Sequence, residues 1–196
     1  MSSQLIRTFL VLLTCSSLFA ASPAYALEYE GVDFPERVKL AGSQIEIQLN
    51  GIGTRSKFIF DIYIGALYTR DKSSSEQIII EEMTGPKRIM MHFLYEEVER
   101  DKLVDAWNEG FDNNNDDETL ASLQARIDQF NAYFPTLKQG DQVTLDYVPR
   151  KGTTVTIKGN ELGVIEGEDF FKALLKIWLG DEPADADLKE GMLGLD

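Results

Sequence analysis

The β-forming run from Lys57 to Thr69 is the feature that most limits how this chain can fold. Its even-numbered positions are all apolar or aromatic, and this face is predicted to lie in a core (Phe58, Phe60, Ile62, Ile64, Ala66, Tyr68). Its odd-numbered positions mix Asp61 and Gly65 with larger side chains. The odd-numbered face is therefore predicted to meet either solvent or a partly polar cavity.

Strands and helices follow in separate blocks along the chain. Alternating polar and apolar residues predict four further strands (44–49, 87–95, 141–148, 153–158). Asn50-Gly51 and Gly53 are turn or bulge signals after the first of these strands. Helical spacing of apolar residues predicts five helices. A short helix covers 76–83, two amphipathic helices lie on either side of 112–118, a strongly amphipathic helix covers 168–179, and a last short helix follows Pro183. This segregation predicts an α+β domain, an antiparallel sheet with helices packed on one face.

The first twenty-six residues predict a secretory leader. Arg7 precedes a short apolar run, and Ala24-Tyr25-Ala26 supplies small residues at the −3 and −1 positions of a cleavage site. We expect a signal peptide over residues 1–26, cleaved after Ala26, and a periplasmic or secreted domain over 27–196. The alternatives are a membrane anchor and a lipoprotein acylated at Cys15. Cleavage would remove Cys15, the only cysteine, and with it disulfides and thiolate chemistry.

The charge balance argues against several classes of partner. Lys and Arg number 19 against 33 Asp and Glu, a net charge of −14. Such a surface lacks the basic excess that nucleic acids and anionic lipids require, so we expect no nucleic-acid partner and no membrane insertion after leader cleavage. No cofactor is expected.

No metal site is predicted. His92 is the single histidine, and the tract from Asp112 to Glu118 lacks the Gly and Glu of a calcium loop. We interpret this tract as a loop between two helices, with Asn115 as the cap of the second helix.

Residues 50–68, NGIGTRSKFIFDIYIGALY, carry a recognisable pattern. A G-x-G-x-R element ending at Arg55 precedes a Lys-Phe strand and a Tyr-x-x-x-Leu-Tyr element that begins at Tyr63. The C-terminal segment from Phe170 to Gly194 agrees with the same pattern. Together these elements resemble the bacterial chalcone isomerase-like family over nearly all of the chain after the leader. The resemblance implies an open-faced sandwich, a large antiparallel sheet with helices layered on one face.

The resemblance also implies a cleft whose polar lining differs between family members. Some plant members close the flavanone ring of a chalcone, whereas others bind fatty acids without catalysis. The catalytic Arg of the isomerases falls on Arg55. Their strand Thr falls on Tyr63, the residue type that the fatty-acid-binding relatives place beside their Arg. The other three polar positions of the isomerases fall on Glu99, Ala106 and Ile177. Tyr95 and Asn108 lie within a few residues of these positions and carry polar groups.

We therefore predict a non-catalytic binder of a fatty acid or similar amphipathic carboxylate, with Arg55 as the anion anchor and Tyr63 as a second donor. Ala106 and Ile177 cannot donate, and each lost donor costs an isomerase about 2.7–4 kcal/mol. Two alternatives stay open. One is an isomerase acting on an unknown substrate, with Arg55 polarising a carbonyl and Tyr63 or Tyr95 as the acid. The other is a scaffold or interaction module whose cleft is filled by its own side chains.

The spacing of the two predicted site residues sets a geometric condition. A straight strand would separate Arg55 from Tyr63 by about 26 Å. Both side chains can reach one ligand only if the chain turns near Ser56 or Lys57.

Overall fold

Seven strands form one antiparallel sheet at the centre of the computed structural model, which describes residues 26–195. The strands in chain order are β1 (Ala26–Tyr29), β2 (Val32–Pro35), β3 (Arg37–Lys39), β4 (Glu46–Lys57), β5 (Phe60–Thr69), β6 (Lys87–Phe93), β7 (Glu97–Val98), β8 (Leu137–Lys138), β9 (Gln142–Val148), β10 (Gly152–Ile157) and β11 (Asn160–Ile165). The helices are α1 (Glu76–Glu81), α2 (Arg100–Asn114), α3 (Asp117–Ala132), α4 (Glu168–Leu179) and α5 (Ala186–Leu193). The spatial order of the large sheet is β11-β10-β9-β6-β5-β4-β3, while β1 pairs with β2 and β7 with β8. The predicted signal peptide and Cys15 lie outside the described residues, apart from Ala26, and the signal peptide stays a prediction.

All five helices of the described chain bury their apolar side chains on one face of the large sheet. Trp107 of α2 joins the three long helices, because its ring lies 5.5 Å from that of Phe130 in α3 and 5.7 Å from that of Trp178 in α4. Edge-to-face contacts of this kind stabilise a core beyond the area they bury. The predicted α+β architecture, with helices layered on one face of an antiparallel sheet, is confirmed.

The opposite face of the sheet is covered by the N-terminal hairpin of β1 and β2. Phe34 of this hairpin is fully buried in a second apolar cluster with Ile64 and Tyr68 of β5. The even-numbered face of β5 is thus a core there, as the sequence predicts. The odd-numbered residues Tyr63 and Leu67 belong to the main core under the helices, so β5 is buried on both faces.

The run predicted as one strand, 57–69, contains a hairpin turn. Strand β4 runs to Lys57, the chain turns at Phe58 and Ile59, and β5 begins at Phe60. The prediction that Phe58 and Phe60 lie in the core is wrong, because they are 93% and 49% exposed. The turn lacks the Gly, Asn or Asp that marks most hairpins, and Phe58 itself takes the left-handed conformation, φ 60°.

Most other predicted elements are present. Ser75 caps α1, and α4 spans residues 168–179 as predicted. The cap predicted at Asn115 is wrong, because the carboxylate of Asp116 accepts the Thr119 N–H at 2.7 Å and caps α3. No strand was predicted for β1, β2, β3, β7, β8 or β11.

The turn or bulge signal at Asn50 proves to be a bulge within β4. Its buried side chain donates to the carbonyl oxygens of Ser73 at 3.0 Å and Met192 at 2.9 Å, and accepts the Ser73 N–H at 2.8 Å. One amide thereby joins the sheet to the segment before α1 and to helix α5. The extra residue also shifts the alternation of β4, since bulges leave one residue unpaired.

Helix α5 packs directly on the backbone of the β4–β5 pair. A Cβ on Gly51 would collide with the carbonyl oxygen of Gly191 and lie 2.6 Å from that of Met192. A Cβ on Gly65 would lie 2.7 Å from the side chain of Met192. The glycines of the G-x-G-x-R element therefore allow helix α5 to lie close to the sheet, and the Arg of the same element lies at the edge of that helix.

We expect Gly51→Ala to lower the free energy of unfolding by about 1–3 kcal/mol, because the atoms that the new methyl meets are backbone and cannot rotate away. Urea unfolding followed by tryptophan fluorescence measures the change. Gly85→Ala is the matched control, since its Cβ would meet Arg70 at an ordinary 3.6 Å. Equal midpoints for the two variants would contradict the close helix–sheet approach.

Candidate functional site

The hairpin turn brings Arg55 and Tyr63 side by side. They are direct partners across β4 and β5, and Cζ of Arg55 lies 5.7 Å from the centroid of the Tyr63 ring. The geometric condition set by the sequence is met by a turn at Phe58 and Ile59, just beyond Lys57. The distance of a straight strand does not apply, because cross-strand partners are neighbours.

An apolar cleft of about 170 Å³ lies beside this pair, between the sheet and α2. Ile62, Tyr63 and Phe93 contribute its sheet side, and Leu103 and Ala106 its helix side. Charged side chains lie among the remaining lining residues (Arg55, Lys57, Glu97 and Lys102). The cleft thus combines an apolar wall with a few charged groups, as small-molecule sites do.

Arg55 also lines a second cleft of about 230 Å³. This second cleft is polar and includes the side chains of Glu109, Asn113 and Glu182. The two clefts share Arg55, Lys57 and Ala106. The guanidinium therefore stands where an apolar cleft meets a polar one.

Arg55 is half-buried and has no counter-ion within residues 26–195. Five of the seven arginines in this range form ion pairs with carboxylates (Arg37, Arg70, Arg88, Arg100, Arg126). Arg150 is exposed in a turn. The Nε atom of Arg55 is buried and makes no hydrogen bond to any described residue. Because buried donors are almost always paired, the unpaired Nε marks Arg55 as a candidate contact for an anion from outside the chain.

The hydroxyl of Tyr63 is held by the main core. The indole Nε1 of Trp178 donates to it at 2.9 Å, and Tyr63 is only 2% exposed. Burial raises the pKa of Tyr63, and the nearby positive charge of Arg55 only partly offsets this. The phenol is therefore protonated at neutral pH and keeps one O–H proton to donate.

The other residues singled out by the resemblance separate into two groups. Tyr95 and Ala106 line the apolar cleft. Glu99, the residue before α2, forms an ion pair with Lys102. Asn108 accepts a hydrogen bond from Asn131 of α3, and Ile177 is buried in the main core. The cleft thus has an apolar methyl group at Ala106, the position onto which the resemblance maps a polar side chain of the isomerases.

Sequence reasoning missed the role of Trp178. Its helical spacing predicts an inward-facing side chain, which the structure confirms, but not the acceptor that its indole N–H reaches. A buried tryptophan N–H requires such an acceptor, and this requirement is the signal that could have found the contact with Tyr63.

The described residues 26–195 contain no cluster of His, Cys, Asp or Glu suited to a metal ion. His92 lies on the face of the sheet away from the helices, with its Nδ1 3.3 Å from the amide nitrogen of Gln142. Burial lowers the pKa of His92. Within the same residues, no helix is both long and apolar enough to cross a bilayer.

Tyr63→Phe should lower the free energy of unfolding by about 1–3 kcal/mol, because it leaves the Trp178 N–H buried without an acceptor. Tyr68→Phe is the control, since the Tyr68 hydroxyl is buried with no hydrogen-bond partner among the described residues and its removal should cost nothing. Urea unfolding of both variants gives the comparison. A loss for Tyr68→Phe as large as that for Tyr63→Phe would refute the assigned role of the indole bond.

The chain matches the family described as chalcone isomerase-like over residues 26–194. No curated protein matches it in sequence. The crystal structure of the Arabidopsis thaliana fatty-acid binding protein AtFAP1 is similar, with a TM-score of 0.67 and 16% sequence identity, covering 86% of this chain and 96% of that chain. At this identity the likeness concerns the fold. The family match spans nearly all of the described residues, and the chain belongs to the chalcone isomerase-like family.

Proposed function

We propose that this protein binds a small amphipathic carboxylate, such as a fatty acid, in the apolar cleft and does not transform it. The observation that carries this proposal is the half-buried guanidinium of Arg55, which has no counter-ion among residues 26–195 and lies beside apolar walls. A guanidinium offers a planar fork of donors that matches a carboxylate. The apolar walls would take the hydrocarbon part of the ligand.

The neighbouring groups favour an anion at this point. Tyr63 retains an O–H proton beside Arg55 and would serve as the second donor. Lys57 also lines the cleft and supplies local positive charge, whereas the cleft residues Lys102 and Glu97 are each paired with another side chain, Glu99 and Lys138. With a net charge of −14 the whole protein does not attract anions from a distance, so these local groups and apolar burial must provide the affinity.

The fold and the cleft lining both favour binding over catalysis. A solved structure with a similar fold is a fatty-acid binding protein. An isomerase needs donors directed at the oxygen that becomes negative in the transition state, and Ala106 supplies none in the cleft. Ile177 lies in the main core and supplies none either.

The size of the cleft bears on the ligand. At about 170 Å³ it is smaller than the roughly 300–1,000 Å³ of typical ligand pockets. We propose that it holds the carboxylate end of the ligand, and that a longer chain passes Tyr95 towards the hairpin tip. The leader pattern of residues 1–26 supports the further proposal that the protein acts outside the cytoplasm.

The decisive test compares Arg55→Gln with Arg150→Gln in the chain from Leu27 onwards. Isothermal titration with decanoate and with decanol separates binding of the carboxylate from binding of the hydrocarbon. We expect Arg55→Gln to raise the Kd for decanoate about 10- to 150-fold, the equivalent of one lost charge-assisted hydrogen bond. Arg150→Gln removes the same charge from an exposed turn and should leave the Kd unchanged.

Four outcomes would count against the proposal. Equal affinity of the wild type for decanoate and decanol, or an unchanged Kd for decanoate in Arg55→Gln, would contradict the role of Arg55 as the anion anchor. Turnover of a chalcone that Arg55→Gln abolishes would favour the isomerase alternative. A natively purified protein that releases no acid on denaturation in organic solvent, and that binds no decanoate, would favour the scaffold alternative.

A further inference from the structure

The tip of the β4–β5 hairpin presents large apolar side chains to solvent. Phe58 is 93% exposed, Ile59 87% and Phe60 49%. No other run of adjacent residues within 26–195 exposes large apolar side chains in this way. We call these three residues the hairpin tip.

The hairpin tip is not explained by the needs of folding. Phe58 adopts φ 60°, a conformation that Gly, Asn and Asp adopt far more readily than an aromatic residue. Its ring and the side chain of Ile59 are almost wholly in water, so they add little to either core. Exposed apolar side chains that neighbour one another mark a surface that contacts another body.

The hairpin tip adjoins the apolar cleft. The ring of Phe60 packs edge-on against that of Tyr95, with centroids 5.5 Å apart, and Tyr95 lines the cleft. Lys57, which also lines the cleft, directly precedes Phe58. An apolar path therefore leads from the cleft over Tyr95 and Phe60 to the tip.

We infer that the hairpin tip enters the interfacial layer of an uncharged or zwitterionic lipid bilayer and holds the cleft mouth against it. The choice of a bilayer rests on the proposed function, because amphipathic acids dissolve in bilayers and a binder must collect or release them there. The net charge of −14 disfavours an anionic surface, which sets the kind of lipid.

The size of the hairpin tip also favours a bilayer over a protein partner. Even at the about 150–250 Å² that one aromatic side chain buries, the three side chains of the tip together bury less than the roughly 800 Å² per partner of a stable protein interface. A fluid interfacial layer accommodates a few side chains without any matching pocket. The contact would be shallow and reversible, as attachment by a single weak anchor is.

The expectation of no membrane insertion after leader cleavage would then apply to the backbone of the protein but not to the side chains of the hairpin tip. No helix in residues 26–195 can span a bilayer. The contact that we propose involves only the side chains of the hairpin tip.

Flotation with phosphatidylcholine vesicles tests the inference, using the chain from Leu27 onwards with no acid added. This chain contains both apolar cores and almost all of the family match. We expect the wild type to float with the vesicles and Phe58→Asn/Ile59→Ser to lower the partition coefficient about 100-fold, about tenfold for each side chain. Asn tolerates the left-handed conformation, so the hairpin should be retained. Ile78→Ser, which removes a 59% exposed side chain from α1, should float like the wild type.

A second measurement reports the position of the tip. Phe58→Trp should be quenched by vesicles of brominated phosphatidylcholine, whereas the native Trp107 and Trp178, at 3% and 0% exposure, should not. Replacing a third of the lipid with an anionic one should weaken flotation at low salt, because the charge of the protein opposes it.

The following results would overturn the inference: no flotation of the wild type, equal flotation of Phe58→Asn/Ile59→Ser, or no quenching of Phe58→Trp. A tip-dependent dimer in sedimentation, without vesicle binding, would assign the tip to a second copy of the chain instead. Failure of the proposed function is distinguishable. The Phe58→Asn/Ile59→Ser variant should bind hexanoate, an acid too short to extend from the cleft to the tip, like the wild type. A wild type that floats with vesicles but binds neither hexanoate nor decanoate would contradict the proposed function and leave the inference about the tip intact.

Discussion

Helix α5 lies against the backbone of β4 and β5 because Gly51 and Gly65 present no side chain to it. The buried amide of Asn50 secures the same junction by donating to the carbonyl of Met192. With α5 seated there, the next side chain of β4 on that face, Arg55, lies at the edge of the helix layer rather than beneath it. The position of the guanidinium thus follows from how closely a helix can approach two strands.

The unusual electrostatics of the site follow from that position. Most arginines of the described chain form ion pairs with carboxylates. Arg55 forms no ion pair with a described residue, and its buried Nε has no hydrogen-bond partner there. The aromatic ring of Tyr63 lies beside the guanidinium, and that ring is fixed in turn by Trp178. A rigid aromatic support beside an unpaired charge would lower the conformational entropy lost when the proposed anion binds.

The same fold can serve binding or catalysis, and the difference lies in a few side chains. An isomerase surrounds the reacting oxygen with donors, whereas this cleft presents a methyl group at Ala106 and aromatic and aliphatic walls elsewhere. The hairpin tip then extends the apolar character of the cleft to the surface through Phe60 and Tyr95. In the function that we propose, the cleft would hold an amphipathic acid and the tip would bring the cleft mouth to a lipid layer.

Local patterns in the sequence were enough to predict the α+β class, helix α4 and the family. The same patterns identified Arg55 and Tyr63 as the residues to examine, because the family motif marks them. Each strand, helix and motif behind these predictions is marked by residues close together in the chain, so none of them requires knowing which segments meet in space.

The tertiary structure alone decided what those residues form. The turn at Phe58 and Ile59 contains no Gly or Asn that would predict it from sequence. It forms because β4 and β5 pair from Gln48 and Thr69 to Lys57 and Phe60. The bulge at Asn50 shifts the alternation of β4, so no local count of odd and even positions could assign its faces. Pairing, register and the contact between Trp178 and Tyr63 join residues far apart in the chain. They are therefore settled by packing, not by the propensity of any segment.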